Sequence, residues 1–533
     1  MPVENSASLS CQVPAVWRRL AVLSGLGLVL LALLVWAFSL SRPAELPAGS
    51  NALPDVRLPC VSYAPYRRPG HSPLVPGLNI APELIEADLR LLAQVTNCVR
   101  TYGVDRGLDA VPVLARKLGL RVVLGAWIDR DAASNAAQMN RALALSRGYA
   151  DVIDLLIVGN EVLLRGEQTP AALAELLDLA RRTSAVPVAY ADVWEFWVRY
   201  GEILRPHVDV VAAHILPYWE DEPVGIEQAV EHIVTVNAKI RAIFSPLPVF
   251  VGETGWPAAG RQRGAAQPGH SEQTRFVRKL LARQDPNLHY NLVEGFDQPW
   301  KRQLEGAVGG YWGVFTADGQ QRVTFNGALP ADPNWWRLPL AALIGGLLGG
   351  LYGLGWRAGI GGALVLSLAG ACTLVLALVQ WETLAQSART PLDWMLGGAL
   401  AVSALLCTAS ASRRLTYVFA GMYSASAISG LTVVLLICIA LNAVALFVDG
   451  RYRPLCWPLL AAPGLLLLAL AICGERFARR NTVVISLAAL LALAAPLLLW
   501  QEGLLNMQAW GLASNFLLLV LAVIWLQRPT SAN

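Results

Sequence analysis

DLLIVGNEVL, residues 154–163, is an apolar, β-rich run that stops at a glycine and places Asn160 and Glu161 directly behind it. Unbroken apolar character over Leu155 to Val158 suits a strand covered on both faces, as in a parallel sheet. FVGETGWP, residues 250–257, is built the same way, with Glu253 behind the glycine of a run from Pro248 to Gly252. Six more β-rich runs read Val61 to Tyr66, Val99 to Gly103, Arg121 to Ala126, Val186 to Ala191, Val208 to Ala212 and His289 to Phe296, with Asp154 to Val158 fourth in order. Amphipathic stretches such as 83–95, 109–118, 131–148, 169–183, 224–243 and 272–283 separate them. Eight strands alternating with helices predict an α/β fold, a (β/α)8 TIM barrel over 58–326. An open doubly wound sheet is the alternative. APYRRPG at 64–70 offers no glycine-rich phosphate loop, so a nucleotide fold has little support.

In such a barrel the reactive side chains project from the C-terminal strand ends. A single glutamate there is more often a solvated residue or a helix N-terminal charge. Two of them, behind strands four and seven, face each other across the barrel mouth. That is the arrangement of a two-carboxylate glycosidase, which needs one protonated and one ionised carboxyl group. A spacing of about 5 to 5.5 Å implies retention, and about 6.5 to 9.5 Å inversion.

The rest of the chain is of a different character. Over 533 residues, 55% are hydrophobic and 15% charged, too apolar for a wholly soluble protein. The net charge of +4 is small and the arginines follow no single face, so nucleic acid is not an expected partner. Residues 20–41 carry no charge and can span a hydrocarbon core of about 30 Å. They follow Arg18 and Arg19, which predicts a cytoplasmic 1–19, a transmembrane anchor and an exported linker at 42–57. A cleaved signal peptide is the competing reading, since Ala48, Gly49 and Ser50 follow. Charge-free runs recur at 338–356, 358–381, 394–412, 415–448, 454–474, 481–501 and 503–527. They predict a seven-helix transmembrane region over 338–527 and eight helices in all, with the lipid bilayer as partner. The 415–448 run would overshoot a bilayer, so its first third is expected to lie at the interface or re-enter. Arg357, Arg413, Arg414, the 476–480 cluster and Arg528 then fall inside, and Arg389, Arg451 and Arg453 outside. Both termini, including the 528–533 tail, are expected in the cytoplasm.

Cys60 and Cys98 are the two cysteines of the exported region, each just before a predicted strand. A disulfide between them and a pair of buried thiols are both open. Cys372, Cys407, Cys438, Cys456 and Cys473 fall in or beside apolar helices and read as small buried hydrophobes. No His, Cys or carboxylate cluster has metal-ligand spacing, so neither metal nor cofactor is expected.

At VGNEVL, VGETGWP and FDQPWKRQLEGAVGGYWGVF, 296–315, the chain resembles glycoside hydrolase family 17, the β-1,3-glucan-active barrels. The likeness covers 58–326 and leaves out the C-terminal helices. It implies Glu161 as acid/base, Glu253 as nucleophile, and Asn160 as the residue that binds the sugar 2-hydroxyl. Lys301 and Glu305 match charged residues kept near the nucleophile after strand eight. Gln298 departs from the glutamate expected after Asp297, which removes a negative charge near the site. At HILPYW, 214–219, Pro217 and Tyr218 carry over, whereas His214 and Leu216 replace Asn and Tyr. Tyr63, Tyr102 and Tyr218 are candidate hydrogen-bond donors to sugar or nucleophile. Trp127, Trp194, Trp197, Trp219, Trp256, Trp300 and Trp312 are candidate stacking faces, with core packing the alternative for several. Asp297 belongs to the same eighth-strand group.

The resemblance is to the family's bacterial membrane-bound branch, which includes glucan transferases linked to periplasmic β-glucan synthesis. It implies a membrane-bound β-1,3-glucan transglycosylase with a periplasmic catalytic domain on a bacterial inner membrane, and a glucan synthase as a partner. Hydrolysis is the alternative. A non-catalytic glucan-binding partner of a synthesis or export complex is the second, although the helices carry few internal ionisable residues for a polar pathway.

Overall fold

Residues 14–42, 57–328, 331–355, 358–422, 428–477 and 480–528 are described by the structure, a computed structural model. Residues 1–13, nearly all of the expected linker with Ala48, Gly49 and Ser50, Arg357, Arg479 and the tail beyond Arg528 lie outside them. The chain divides into two units, 43–331 and 1–42 with 332–533.

In the first unit eight parallel strands close into a barrel in sequential order: β1 Val61–Ser62, β2 Cys98–Arg100, β3 Arg121–Ala126, β4 Ile153–Asn160, β5 Val188–Val193, β6 Val210–His214, β7 Val249–Thr254 and β8 His289–Leu292. Val61 pairs with both Val99 and Leu292 and completes the ring. The predicted (β/α)8 barrel is therefore what forms. β1 and β8 are shorter than expected, because beyond Ser62 and Leu292 the ladder continues only as single bonds such as Tyr63 N–H to Arg100 O (2.7 Å) and Gly295 N–H to Ser62 O (2.8 Å).

Alternation along the strands sorts the side chains. Val123, Leu155, Ile157, Ala189, Ala191 and Ala212 form one buried cluster with Cys60 and Cys98. Their neighbours Val122, Leu124, Leu156, Val158, Val188 and Val211 join the larger cluster made with the helices. Those helices include Pro82–Leu92, Val111–Leu118, Ala132–Gly148, Pro170–Thr183, Trp194–Leu204, Ala229–Phe244 and His270–Ala282. Cys60 immediately precedes β1 and Cys98 opens β2, each one step before the paired Val61 and Val99, and they are joined as a disulfide.

The second unit contains α1 Ala15–Ser39, α2 Arg337–Gly355, α3 Gly359–Ser387, α4 Pro391–Ala420, α5 Ile428–Asp449, α6 Ala461–Ile472, α7 Thr482–Glu502 and α8 Met507–Leu526. Among the described residues seven of these are long and apolar enough to cross a membrane. The expected span at 454–474 is the exception and corrects the count of eight. Pro458–Leu460 forms a 3-10 turn and α6 has 12 residues, about 18 Å of α-helix. Gly474, in the left-handed region at φ 93°, follows its end. The expected long run at 415–448 is also divided differently. Residues 415–420 finish α4, which stops at Gly421, and α5 supplies the span; the re-entrant portion would include 423–427, outside the described residues.

Contacts at the helix ends sort this unit into two ends. At one, Arg19 donates to Val418 O (2.9 Å), Arg414 pairs with Glu475 (2.7 Å) and Phe477 N–H bonds Leu526 O (2.9 Å). At the other, Asp332 N–H bonds Leu40 O (3.0 Å), Arg337 pairs with Glu382 (2.7 Å) and Arg453 with Asp393 (2.8 Å).

Candidate active site

The strand ends at the barrel mouth are not regular, and the irregularity aims the side chains. Leu155 and Ile157 point into the barrel, so strict alternation would turn Asn160 outward. The β4–β5 register shifts between Ile157 and Asn160, with Gly159 at φ 82°. A shift of this kind re-aims a side chain. A Cβ at Gly159 would meet Val162 Cγ2 at 2.6 Å, which with the positive φ restricts the position to glycine. Glu161 follows at φ 53°, held by its N–H to Ala191 O (2.8 Å). The β6–β7 pairing shifts between Ala213 and His214, and Glu253 lies opposite His214. A Cβ at Gly252 would stand 2.9 Å from His214 Nδ1, so glycine there admits the imidazole ring.

These turns bring Glu161, His214 and Glu253 together, with one oxygen or nitrogen of each within 4.8 Å of the others. Separation in sequence hid this group, and it corrects the reading that no such cluster has ligand spacing. A cation would compete there with Arg100, whose Nη1 bonds Glu253 Oε1 and Gly252 O, both at 2.8 Å. Arg100 Nη2 donates to Asn160 Oδ1, and His214 Nε2 meets the same oxygen at 3.1 Å. An amide oxygen can only accept, so His214 carries its hydrogen on Nε2. Burial brings His214 down to about 4, and it is neutral near pH 7.

Two carboxyl groups with oxygens within 4.8 Å of each other are held in opposite states. Burial, and after it the charges of Glu253, Asp192 and Glu305, raise Glu161 to about 8. Burial alone would raise Glu253 too. His214, as it gains its proton on the acid side, together with Arg100, Lys301 and a hydrogen bond from Tyr102, outweighs it and holds Glu253 below the ordinary carboxylate value. One group is thus an acid and the other a carboxylate across the neutral range.

Beyond Glu253 lies a second ionic cluster. Lys301 Nζ contacts Glu294 at 3.2 and 3.3 Å, and Glu305 acts on the same ammonium. Glu294 is fully buried; burial takes it to about 8 despite Lys301. Position 298 holds no carboxyl group, and the carboxyl group beside Lys301 is instead that of Glu294, four residues earlier. Gln298 itself donates to Ala64 O (2.9 Å) and accepts from Trp300 Nε1 (2.8 Å).

Among the other expected residues, Tyr102 stands beside Glu253, and its hydroxyl lies 3.0 Å from Ser62 Oγ. Trp127 is half-buried, with the Arg165 guanidinium 4.2 Å over its ring. Several candidates are engaged elsewhere. Tyr63 is buried and donates to Asp88 (3.2 Å), Tyr218 donates to Arg261 O (2.6 Å), and Trp256 donates to Gln267 O (3.0 Å) while stacking on Phe276. Asp297 pairs with Arg322 and accepts from Gly313 N–H (2.9 Å). Trp197 is core, bonded to Ala212 O (2.9 Å); Trp312 is buried, and Trp194 and Trp219 are half-buried. Arg100, Asp192 and Glu294 were not singled out from sequence. Each is a charged residue at or just past the C-terminal end of an apolar strand, in CVRTY, VAYAD and LVEGF, and that signal could have found them.

Residues 60–313 match the family model described as the BtgE/BtgC glycoside hydrolase domain. A probable beta-glucosidase btgE of Aspergillus fumigatus is 27% identical over 223 residues, 41% of this chain and 39% of that protein. The chain thus spans about two-fifths of that relative's length. A glucan 1,3-beta-glucosidase BGL2 of Candida albicans is 26% identical over 262 residues, 44% of this chain and 83% of that protein. Among solved structures, a glycoside hydrolase family 17 beta-1,3-glucanosyltransferase from Rhizomucor miehei is similar at 25% identity and a TM-score of 0.43, covering 50% of this chain and 97% of that one.

Proposed function

We propose that this barrel, a glycoside hydrolase domain of the BtgE/BtgC family over residues 60–313, is a retaining transglycosylase of β-1,3-glucan in which Glu161 is acid/base and Glu253 nucleophile. The observation that carries the reading is the Glu161–Glu253 pair, within 4.8 Å at the nearest oxygens and biased to opposite protonation states. That spacing suits retention, since inversion needs room for a water between the two groups.

In the first step Glu161 gives its proton to the glycosidic oxygen while a Glu253 oxygen attacks the anomeric carbon. The bond to the leaving sugar breaks and a glycosyl-enzyme ester forms. Glu161, now ionised, takes the proton of an acceptor hydroxyl as that oxygen attacks the same carbon and releases Glu253. Asn160 Oδ1 is held by Arg100 and His214, which leaves its Nδ2 as donor to the sugar 2-hydroxyl. Arg100 and Lys301 stabilise the Glu253 carboxylate before attack and as it leaves. A sugar acceptor gives transfer and water gives hydrolysis.

The helical unit is read as membrane-embedded, with the end near Arg18 and Arg528 cytoplasmic and the barrel periplasmic. The Cys60–Cys98 disulfide supports an oxidising compartment, and tethering fits a polymer remodelled as a membrane synthase releases it.

The test is incubation of the full-length chain in detergent with an end-labelled β-1,3-glucan oligosaccharide, with products followed by mass. Products longer than the donor are expected; shorter ones alone would replace transfer by hydrolysis. Glu161→Gln should lower turnover about 10²- to 10⁴-fold. An active Glu253→Gln would overturn the nucleophile assignment, and binding without turnover in the unaltered chain would make the barrel a glucan-binding module.

A further inference from the structure

The two ends of the helical unit differ in charge. Among the described residues, the end that carries Leu40 and Asp332 has Arg42, Arg337, Arg389, Arg451 and Arg453 against Asp332, Glu382, Asp393, Asp449 and Glu502. Its buried groups are paired: Asp393 with Arg453 at 2.8 Å, and Arg389 with Asp449. Among the described residues the opposite end has Arg18, Arg19, Arg413, Arg414, Arg476, Arg480 and Arg528 against Glu475 alone. That glutamate is taken by Arg414 at 2.7 Å, and Arg19 is spent on Val418 O.

Three of the remaining arginines come from separate segments and converge on the end of α6. Arg18, in α1, holds Nη1 within 3.1 Å of where a Cβ on Gly474 would be. Arg476 Nη1 donates to Ala471 O (3.2 Å) and Glu475 O (2.6 Å), capping that helix. Arg528 follows α8, whose Leu526 O accepts from Phe477 N–H. Burial, and then the charges of Arg528 and Arg18, hold Arg476 below its ordinary value. Among the described residues no carboxylate pairs with Arg18 or Arg528. Like charges gathered at a helix end, where Glu475 is already paired with Arg414, call for a further anion, and a basic pocket between membrane helices fits a lipid phosphate.

We propose that Arg18, Arg476 and Arg528 form a binding site for the phosphodiester headgroup of an anionic membrane phospholipid. The proposal rests on the membrane reading of the helices. The lipid phosphate accepts from guanidinium groups of three segments and ties α1 and α8 to the end of the short α6.

The full-length chain is reconstituted in nanodiscs of equal parts phosphatidylcholine and phosphatidylglycerol, released, and its retained lipids are read by native mass spectrometry. Phosphatidylglycerol should be retained in excess, and the excess should fall about fivefold for each arginine removed in Arg18→Gln, Arg528→Gln and the double variant. Arg42→Gln, at the balanced end, should keep it. Circular dichroism and the thermal transition check that each variant is folded. A chain that does not enter the nanodisc overturns the membrane reading. A chain that enters but retains both lipids equally, or folded variants that keep the full excess, overturn the lipid site alone.

Discussion

Glu161 and Glu253 differ less in type than in what surrounds them. Asp192 and Glu305 add negative charge near Glu161, whereas Arg100 and Lys301 add positive charge near Glu253. A bell-shaped kcat/KM profile follows. Activity should fall as pH rises through about 8, when Glu161 loses its proton, and on the acid side only below the ordinary carboxylate range, when Glu253 gains one. Asp192→Asn removes a negative neighbour, which makes ionised Glu161 easier to form. Its alkaline limb should therefore move to lower pH, read from initial rates across a buffer series; an unmoved limb would remove Asp192 from the account.

At the scale of elements, most of the barrel was legible because its signal is local. Strands such as RVVLGA and LLIVG are apolar and β-rich, and helices begin where Asp131 and Thr169 accept hydrogen bonds from the first turn. The ends of β1 and β8 were not legible, since VSYAPY and HYNLVEGF remain β-like in composition after the regular ladder stops. The disulfide is a property of register: Val61 opposite Val99 sets Cys60 against Cys98. It closes a loop with a sequence separation of 38. The double variant Cys60→Ala/Cys98→Ala should lose roughly 2 to 4 kcal/mol of stability. Denaturant titration of the full chain in detergent, with and without reductant, measures this; reductant should destabilise the unaltered chain and leave the variant unchanged.

For the whole molecule, the joining of a domain of soluble composition to a series of apolar helices was visible in composition alone. Seven helices long and apolar enough to cross a bilayer should keep the chain in the membrane pellet after an alkaline carbonate wash, measured by immunoblot of pellet and supernatant. Recovery in the supernatant would refute the embedded reading. The length of α6 was not visible, because an apolar run reports hydrophobicity without reporting that Pro458–Leu460 winds as a 3-10 turn before the helix and that the helix stops ahead of Gly474.

The amino-acid sequence by itself determined the alternation of strands and helices, the two glutamates behind strands four and seven, and the apolar C-terminal half. Those features depend on residue type and short-range period. Tertiary structure alone decided what acts on the glutamates. Arg100, His214, Asp192 and Glu294 come from strands two, six, five and the end of eight, and only closure of the barrel with its register shifts brings them to Glu161 and Glu253. Charge and burial act through space, so the division of one pair of carboxyl groups into a protonated and an ionised member is a property of the closed barrel.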